Sequence, residues 1–152
     1  MENIEFKAKR VDDGGWVYGH YCELAGRKYI IPDYSQFRDI HDADLESSFT
    51  EIIHETVCQW TELFDKNKTK LYDGDKFQYR KHDGYWFDDF IGVVGFKDGS
   101  FGYYVITEQS DISNEFHPFS YHDELKEDFL NHIEIIGNIH DDLILLNSDK
   151  ED

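Results

Sequence analysis

The nearest thing to a reactive pair in this sequence is Asp73-Gly74-Asp75. Two carboxylates this close can share a proton or hold a divalent cation. The same spacing also builds a turn, with Asp73 fixing it and Asp75 receiving backbone amides where a strand begins. The turn is the favoured reading. Asp88-Asp89 is read alike, one side chain towards solvent and the other beside a bulge. Asp65-x-Asn67-x-Thr69 opens like a calcium loop. Lys70 stands where the sixth-position glycine is needed, and Lys76 where the twelfth-position acid is needed. Asx-turn chemistry accounts for Asp65 and Asn67 instead. The eight histidines are scattered; His117, His122, His132 and His140 form no HxH or HExxH, and a metal site needs three or four converging ligands. Cys22 and Cys58 lie far apart without a CxxC, which predicts reduced core thiols. There is no Gly-x-Ser-x-Gly, P-loop or GxGxxG. These residues predict no catalytic, cofactor-binding or metal-binding set, and hence a protein that is not an enzyme.

The aromatic residues are the other chemically distinctive group: Tyr85, Trp86, Phe87, Phe90, Phe101, Tyr103 and Tyr104. Strand alternation puts Phe101 and Tyr103 on one face and Tyr104 on the other. One set is expected in the core. The other is a candidate interface, with Tyr85 and Trp86 beside it, because aromatic residues are enriched where proteins meet.

The elements that hold these residues read mainly as strands. Ile4 to Arg10 alternates, with Ile4, Phe6 and Ala8 inward and Glu5, Lys7 and Lys9 outward. Turns at Asp12 to Gly15 and Ala25-Gly26 separate it from strands at Trp16 to Cys22 and Lys28 to Ile31, a three-stranded meander. Asp33 to Ser48 reads as an exposed acidic insertion. Phe49 to Trp60 reads as extended near Thr56-Val57. Asp65 to Lys68 and Asp73 to Asp75 are turns, Lys76 to Tyr79 begins a strand, and Trp86 to Phe96 is a long one. Lys97-Asp98-Gly99-Ser100 is the clearest hairpin turn, followed by a strand from Phe101 to Thr107. Gly92, Gly95 and Gly102 predict bulges or sharp bends. Gln109 to Glu115 reads as a loop. Ser120-x-x-Asp123 starts a short helix with Leu125, Phe129 and Leu130 inward, and Ile133 to Ile139 closes as a strand. The expected fold is mainly β with minor α: an N-terminal β-meander, a small SH3-like barrel-type core and a short C-terminal helix. The expected division is 1–58 for the meander with its insertion at 33–48, 59–146 for the core, and 147–152 for a flexible acidic tail.

Trp60-Thr61-Glu62-Leu63-x-Asp65-Lys66-Asn67, followed by Leu71-Tyr72-Asp73-Gly74-Asp75, resembles the signature of the YopX family of phage and prophage proteins. Ile4 to Ala8, Tyr18-Gly19 and Ile133 to Ile139 match as well. The signature residues are Trp60, Thr61, Asp65, Asn67, Tyr72, Gly74 and Asp75, with Gly99 in the later hairpin turn. Glu62 stands where the family usually has glycine, Lys68 stands near another family glycine, and Asp73 replaces the commoner glutamate. The resemblance implies a small, mostly β protein of mobile-element origin and carries over no catalytic residue.

The bulk composition narrows the partners. The 152 residues include 33 acidic and 15 basic side chains, a net charge of −18. Such a surface repels phosphate backbones and anionic membranes, so neither direct nucleic-acid binding nor membrane docking is expected. Against the low mean hydropathy of −0.67 stand 12 Phe, 10 Tyr and 3 Trp, enough aromatic surface to form a core. No apolar run approaches the ~20 residues of a spanning helix, and the opening MENIEFKAKR lacks a signal peptide's apolar segment. These features predict a cytoplasmic protein in a bacterial host. The expected role is a module that self-associates or binds a host or phage protein. The alternative is an acidic nucleic-acid mimic that occupies a host DNA-binding protein, and a carboxylate-metal hydrolase ranks last.

Overall fold

The computed structural model describes residues 4–31, 49–81, 88–119 and 123–141, with the side chains of 123–126 excepted. The insertion at 33–48, Tyr85, Trp86, Phe87, His122, the apolar run 143–146 and the tail 147–152 lie outside the described residues. The chain divides into two compact units, Met1–Trp60 and Thr61–Asp152. The fold is mainly β with minor α. Its strands form antiparallel open sheets, so the barrel does not close.

In the first unit the strands are β1 (Phe6–Lys9), β2 (Trp16–Leu24), β3 (Arg27–Ile31), β4 (Thr50–Glu51) and the start of β5 (Cys58–Phe64). Their order is β4-β3-β2-β1-β5. The β2–β3 turn places Ala25 and Gly26 at φ 53° and 79°, the paired positive angles that match strand twist in a tight hairpin. Ala8, Ile30 and Ile52 form a small core, with Phe6, Val17, Tyr21 and Val57 packed against it. Two expectations need correction. Lys7 shares with Lys9 the side opposite Ala8, as the alternation predicts, but it is buried there. Its ammonium and that of Lys9 each lie 4.7 Å from the centre of the Trp16 ring, so the indole face attracts both cations. Of the Thr56-Val57 pair expected to be extended, Val57 is and leads into β5, whereas Thr56 ends a single 3₁₀ turn, His54–Thr56. The Thr56 hydroxyl donates to Ile53 O (2.6 Å) and accepts from Lys9 N–H (2.8 Å), an alternative to a strand ladder that threonine readily takes.

In the second unit β5 continues to Phe64 and pairs with β6 (Lys70–Tyr72). Then come β7 (Asp75–Tyr79), β8 (Phe90–Lys97), β9 (Ser100–Ile106), β10 (Ile112–Pro118), α1 (Asp123–Leu130) and β11 (Ile133–Asn138). The five-stranded sheet has the order β10-β9-β8-β7-β11. Its inner face is an aromatic layer. Phe77, Tyr79, Val94, Tyr103, Phe119, Leu130 and Ile133 are buried in it. The Phe129 ring of α1 stacks on Tyr79 and Tyr103, 5.2 Å from each at 15°, and Phe90 stacks on Tyr79 at 5.0 Å. Burying one such side chain contributes about 2–3 kcal/mol, so this face supplies most of the unit's stability.

The segment expected as a loop at Gln109 to Glu115 is largely strand: β10 begins at Ile112. Ser113, Asn114 and Glu115 are poor strand formers, and pairing with β9 overrides that preference. The glycines of β8 and β9 also differ from expectation. Residues 91–97 pair with 100–106 without a register shift, so no bulge occurs there. Glycine is required for space instead. A Cβ on Gly92 would sit 2.4 Å from the Phe77 ring, and one on Gly102 would sit 2.3 Å from His117 O. The register shifts fall on the two edge strands, between Ile112 and Phe116 in β10 and between Ile135 and Gly137 in β11. Bulges at edges discourage further strand addition, which is also why the sheet stays open.

Candidate functional site

The signature side chains hold backbone. The Thr61 hydroxyl donates to Leu71 O (2.7 Å) and accepts from Leu63 N–H (3.1 Å), bracketing Glu62. Glu62 has φ 69°. Asp65 is buried. Its Oδ1 accepts from Asn67 N–H (2.9 Å) and Thr69 N–H (3.0 Å), and its Oδ2 from Ile135 N–H (3.1 Å). One carboxylate thus closes the β5–β6 turn and ties it to β11. The Asn67 amide reaches Glu134 Oε1 at 3.4 Å. Asp75 is buried at the start of β7. Its Oδ2 accepts from Tyr72 N–H (2.8 Å) and its Oδ1 from the Asn138 side-chain amide (3.0 Å). Gly74 turns at φ 87°, its N–H donating to Val94 O and its carbonyl accepting from Ile139 N–H. Trp60 is half-buried, with its N–H donating to Glu5 O at 2.8 Å. Tyr72 is buried. Gly99 follows Asp98 through the β8–β9 hairpin, with φ 81° and 52°.

Asn138 and the Ile135 amide are the partners that the sequence left unnamed. They lie 63 and 70 residues from the aspartates they meet, and no local spacing encodes such pairs. The one hint was a polar residue ending an isoleucine-rich strand.

The titratable groups follow burial. Tyr103 is pushed up to about 12, chiefly by burial and then by Tyr79 and Glu115. Burial likewise raises Tyr79, helped by Asp128 and Asp89. Asp89 is held below its ordinary value mainly by accepting from Lys81 N–H, with Arg80 adding to the effect. Among the described residues no three His, Cys, Asp or Glu side chains converge as metal ligands. His117 stacks on Tyr103 at 5.0 Å, and the His132 ring contacts Asp128 O at 2.8 Å. A shallow hollow of ≈ 380 Å³ beside β5 is lined by Glu62, Leu63, Phe64, Lys68 and Glu127, among others.

The outer face of the five-stranded sheet is apolar and only partly covered: Val93 is buried there, whereas its neighbours stay more exposed. Register places Gln78, Ile91, Ile106 and Ile112 in one row across it, and Lys76, Val93, Tyr104 and Phe116 in the next. A third row holds Gly95, Gly102 and Pro118. Across β8, β9 and β10 no residue in these rows is charged. Ile91 is 36% exposed and Ile112 is 51% exposed, and the Tyr104 and Phe116 rings meet at 5.2 Å. Phe101 and Tyr103 belong to the inner face, packed in the aromatic core, so of the described aromatic candidates only Tyr104 is on the outer side. Ile106, Ile112 and Phe116 join it there. Ile112 and Phe116 were missed because β10 was not read as a strand, while Ile106 lies on β9, which was.

The site is therefore an apolar sheet face on a mainly-β protein whose signature polar groups serve its own backbone. The chain belongs to the YopX family: the family profile described as YopX protein matches residues 5–147. The crystal structure of protein EF1440 from Enterococcus faecalis is similar at 16% identity, over 96% of this chain and 99% of that one, with a TM-score of 0.43. No curated protein matches the sequence. Among the described residues no helix is long and apolar enough to cross a membrane.

Proposed function

We propose that this protein is a non-enzymatic module of phage or prophage origin, acting by protein–protein contact or self-assembly in the cytoplasm of a bacterial host. The observation that supports it is the outer face of β8, β9 and β10. An antiparallel sheet with one face in water normally alternates apolar and polar residues. Here both faces are apolar, and Ile91 and Ile112 remain exposed. The engagement of Thr61, Asp65 and Asp75 with backbone amides and carbonyls fits a scaffold rather than a reactive centre.

The test is capture from host cells with wild-type and Ile112→Glu baits, read by mass spectrometry, alongside sedimentation velocity of each protein. The proposal expects a defined partner or a self-assembled species that the substitution abolishes. Identical recovery with both baits, together with a monomer throughout, would overturn it. The acidic-mimic alternative draws on the net charge of −18 and needs rows of carboxylates at duplex phosphate spacing. The rows crossing β8 to β10 carry none.

A further inference from the structure

We propose that the outer face of β8, β9 and β10 docks a basic amphipathic segment of a partner protein. Apolar side chains of that segment lie on Ile91, Ile106, Ile112, Tyr104 and Phe116, and its Lys or Arg side chains meet the carboxylates bordering the patch. The inference rests on the interaction-module reading and names the chemistry of the partner.

The size of the patch points to a segment. Three strands about 4.8 Å apart, with four to five residues rising about 3.4 Å each, cover roughly 200 Å². A standard interface between globular surfaces takes about 800 Å² from each partner. A single helix, about 10 Å across, matches the width, and helices commonly dock apolar side chains at i, i+3, i+4 and i+7.

The charge of the segment follows from the rim. Glu108 and Asp111 lie in the turn joining β9 to β10, next to Ile106 and Ile112, and both are exposed. Neither forms an ion pair among the described residues. Glu134 stands opposite Gln78 at the other end of the isoleucine row, its carboxylate 3.7 Å from the Lys66 ammonium. Two cations share this face, Lys76 opposite Val93 and Lys97 opposite Ser100. The unpaired carboxylates thus gather at the Ile106–Ile112 end of the patch, on a chain of net charge −18. A second copy would bring like charge to like charge, whereas a basic segment gains from the field on approach and at the rim.

The experiment titrates the full-length chain with an 18-residue peptide of leucine and lysine patterned as an amphipathic helix. Controls are the same composition scrambled and a leucine–glutamate analogue. The leucine–lysine peptide is expected to bind at least ten-fold tighter than either control. Ile91→Thr combined with Ile112→Thr leaves charge unchanged and keeps β-branched residues in the strands. This pair is expected to weaken binding at least ten-fold with cooperative unfolding retained. Glu108→Gln with Asp111→Asn should weaken it about three-fold and flatten its salt dependence. Binding unchanged within two-fold in the threonine pair would show attraction by charge alone and overturn the proposal. Equal binding of the acidic analogue, or no binding of the basic peptide, would overturn it too. If the peptide fails while Ile112→Glu still abolishes capture, the interaction module stands and its basic partner does not.

Discussion

Strands β7 and β8 lie side by side in one sheet and carry opposite patterns. In β7, Asp75, Phe77 and Tyr79 face inward while Lys76 and Gln78 face outward. That is the pattern of a strand with one side in water. In β8, Phe90, Gly92 and Val94 face inward, yet Ile91, Val93 and Gly95 on the other side are apolar too. A strand reads this way when both of its faces are to be covered. The inner cover is present: Phe129 and Leu130 of α1 close over the aromatic layer. The outer side buries Val93 but leaves Ile91 and Ile112 in water. One face of the sheet therefore holds the fold together, and the other has apolar surface beyond what the fold uses.

The largest expected effect separates the faces by stability. Phe77→Ala removes a fully buried ring that makes edge contacts with Phe90, Tyr103 and Phe129, at an expected cost of about 3–5 kcal/mol. Ile112→Thr on the outer face should cost about 1 kcal/mol or less. Urea unfolding measures both, and equal losses would erase the distinction. Glycine substitutions sharpen it. Gly92→Ala drives a methyl to 2.4 Å from the buried Phe77 ring, while Gly95→Ala meets the half-exposed Tyr104 ring at 2.8 Å. Overpacking should cost about 2–3 kcal/mol at Gly92 and visibly less at Gly95, where the ring can swing outward.

Alkali probes the inner face through Tyr103. Burial favours its neutral form, so its hydroxyl titrates at about 12 against an ordinary 10.0. Above pH 10 the unfolded chain ionises first. The stability from this group is complete below pH 10, falls as pH rises towards 12 and is gone beyond it. Absorbance at 295 nm should show a late-titrating tyrosine that Tyr103→Phe removes.

The smallest effect concerns the signature turns. Glu62 and Lys68 hold φ 69° and 64°, in the region that costs a side-chain-bearing residue about 1–2 kcal/mol. These are the positions where the family pattern carries glycine or has one nearby. Each change to glycine should stabilise the chain by about 0.5 kcal/mol, the relief being partly offset by a freer unfolded chain. Thermal unfolding would register a small rise in midpoint.

The sequence made the strands with strong local signals legible. Asp98-Gly99 and Ala25-Gly26 announced their hairpins because few residue pairs accept two positive φ angles. The alternation of Lys76 to Tyr79 and the isoleucines after Ile133 announced strands. β10 stayed hidden because Ser113, Asn114 and Glu115 have no strand preference of their own; its partner β9 imposes the conformation. The glycines of β8 and β9 signalled correctly that something approached, but only the pairing with Phe77 and His117 shows what. One of the three strands of the candidate face was hidden with β10. Tyr104 was visible as an outward aromatic, whereas Ile112 and Phe116 join it only once the register is known.

Isoleucine methyl NMR tests the two-faced sheet most directly. Ile91, Ile106 and Ile112 lie on the outer face, Ile133 in the aromatic core, and Ile30 and Ile52 in the core of the first unit. Addition of the leucine–lysine peptide should move the first three methyl signals in a saturable manner and leave the last three in place. Uniform shifts across all six, or shifts confined to Ile30, Ile52 and Ile133, would contradict the account.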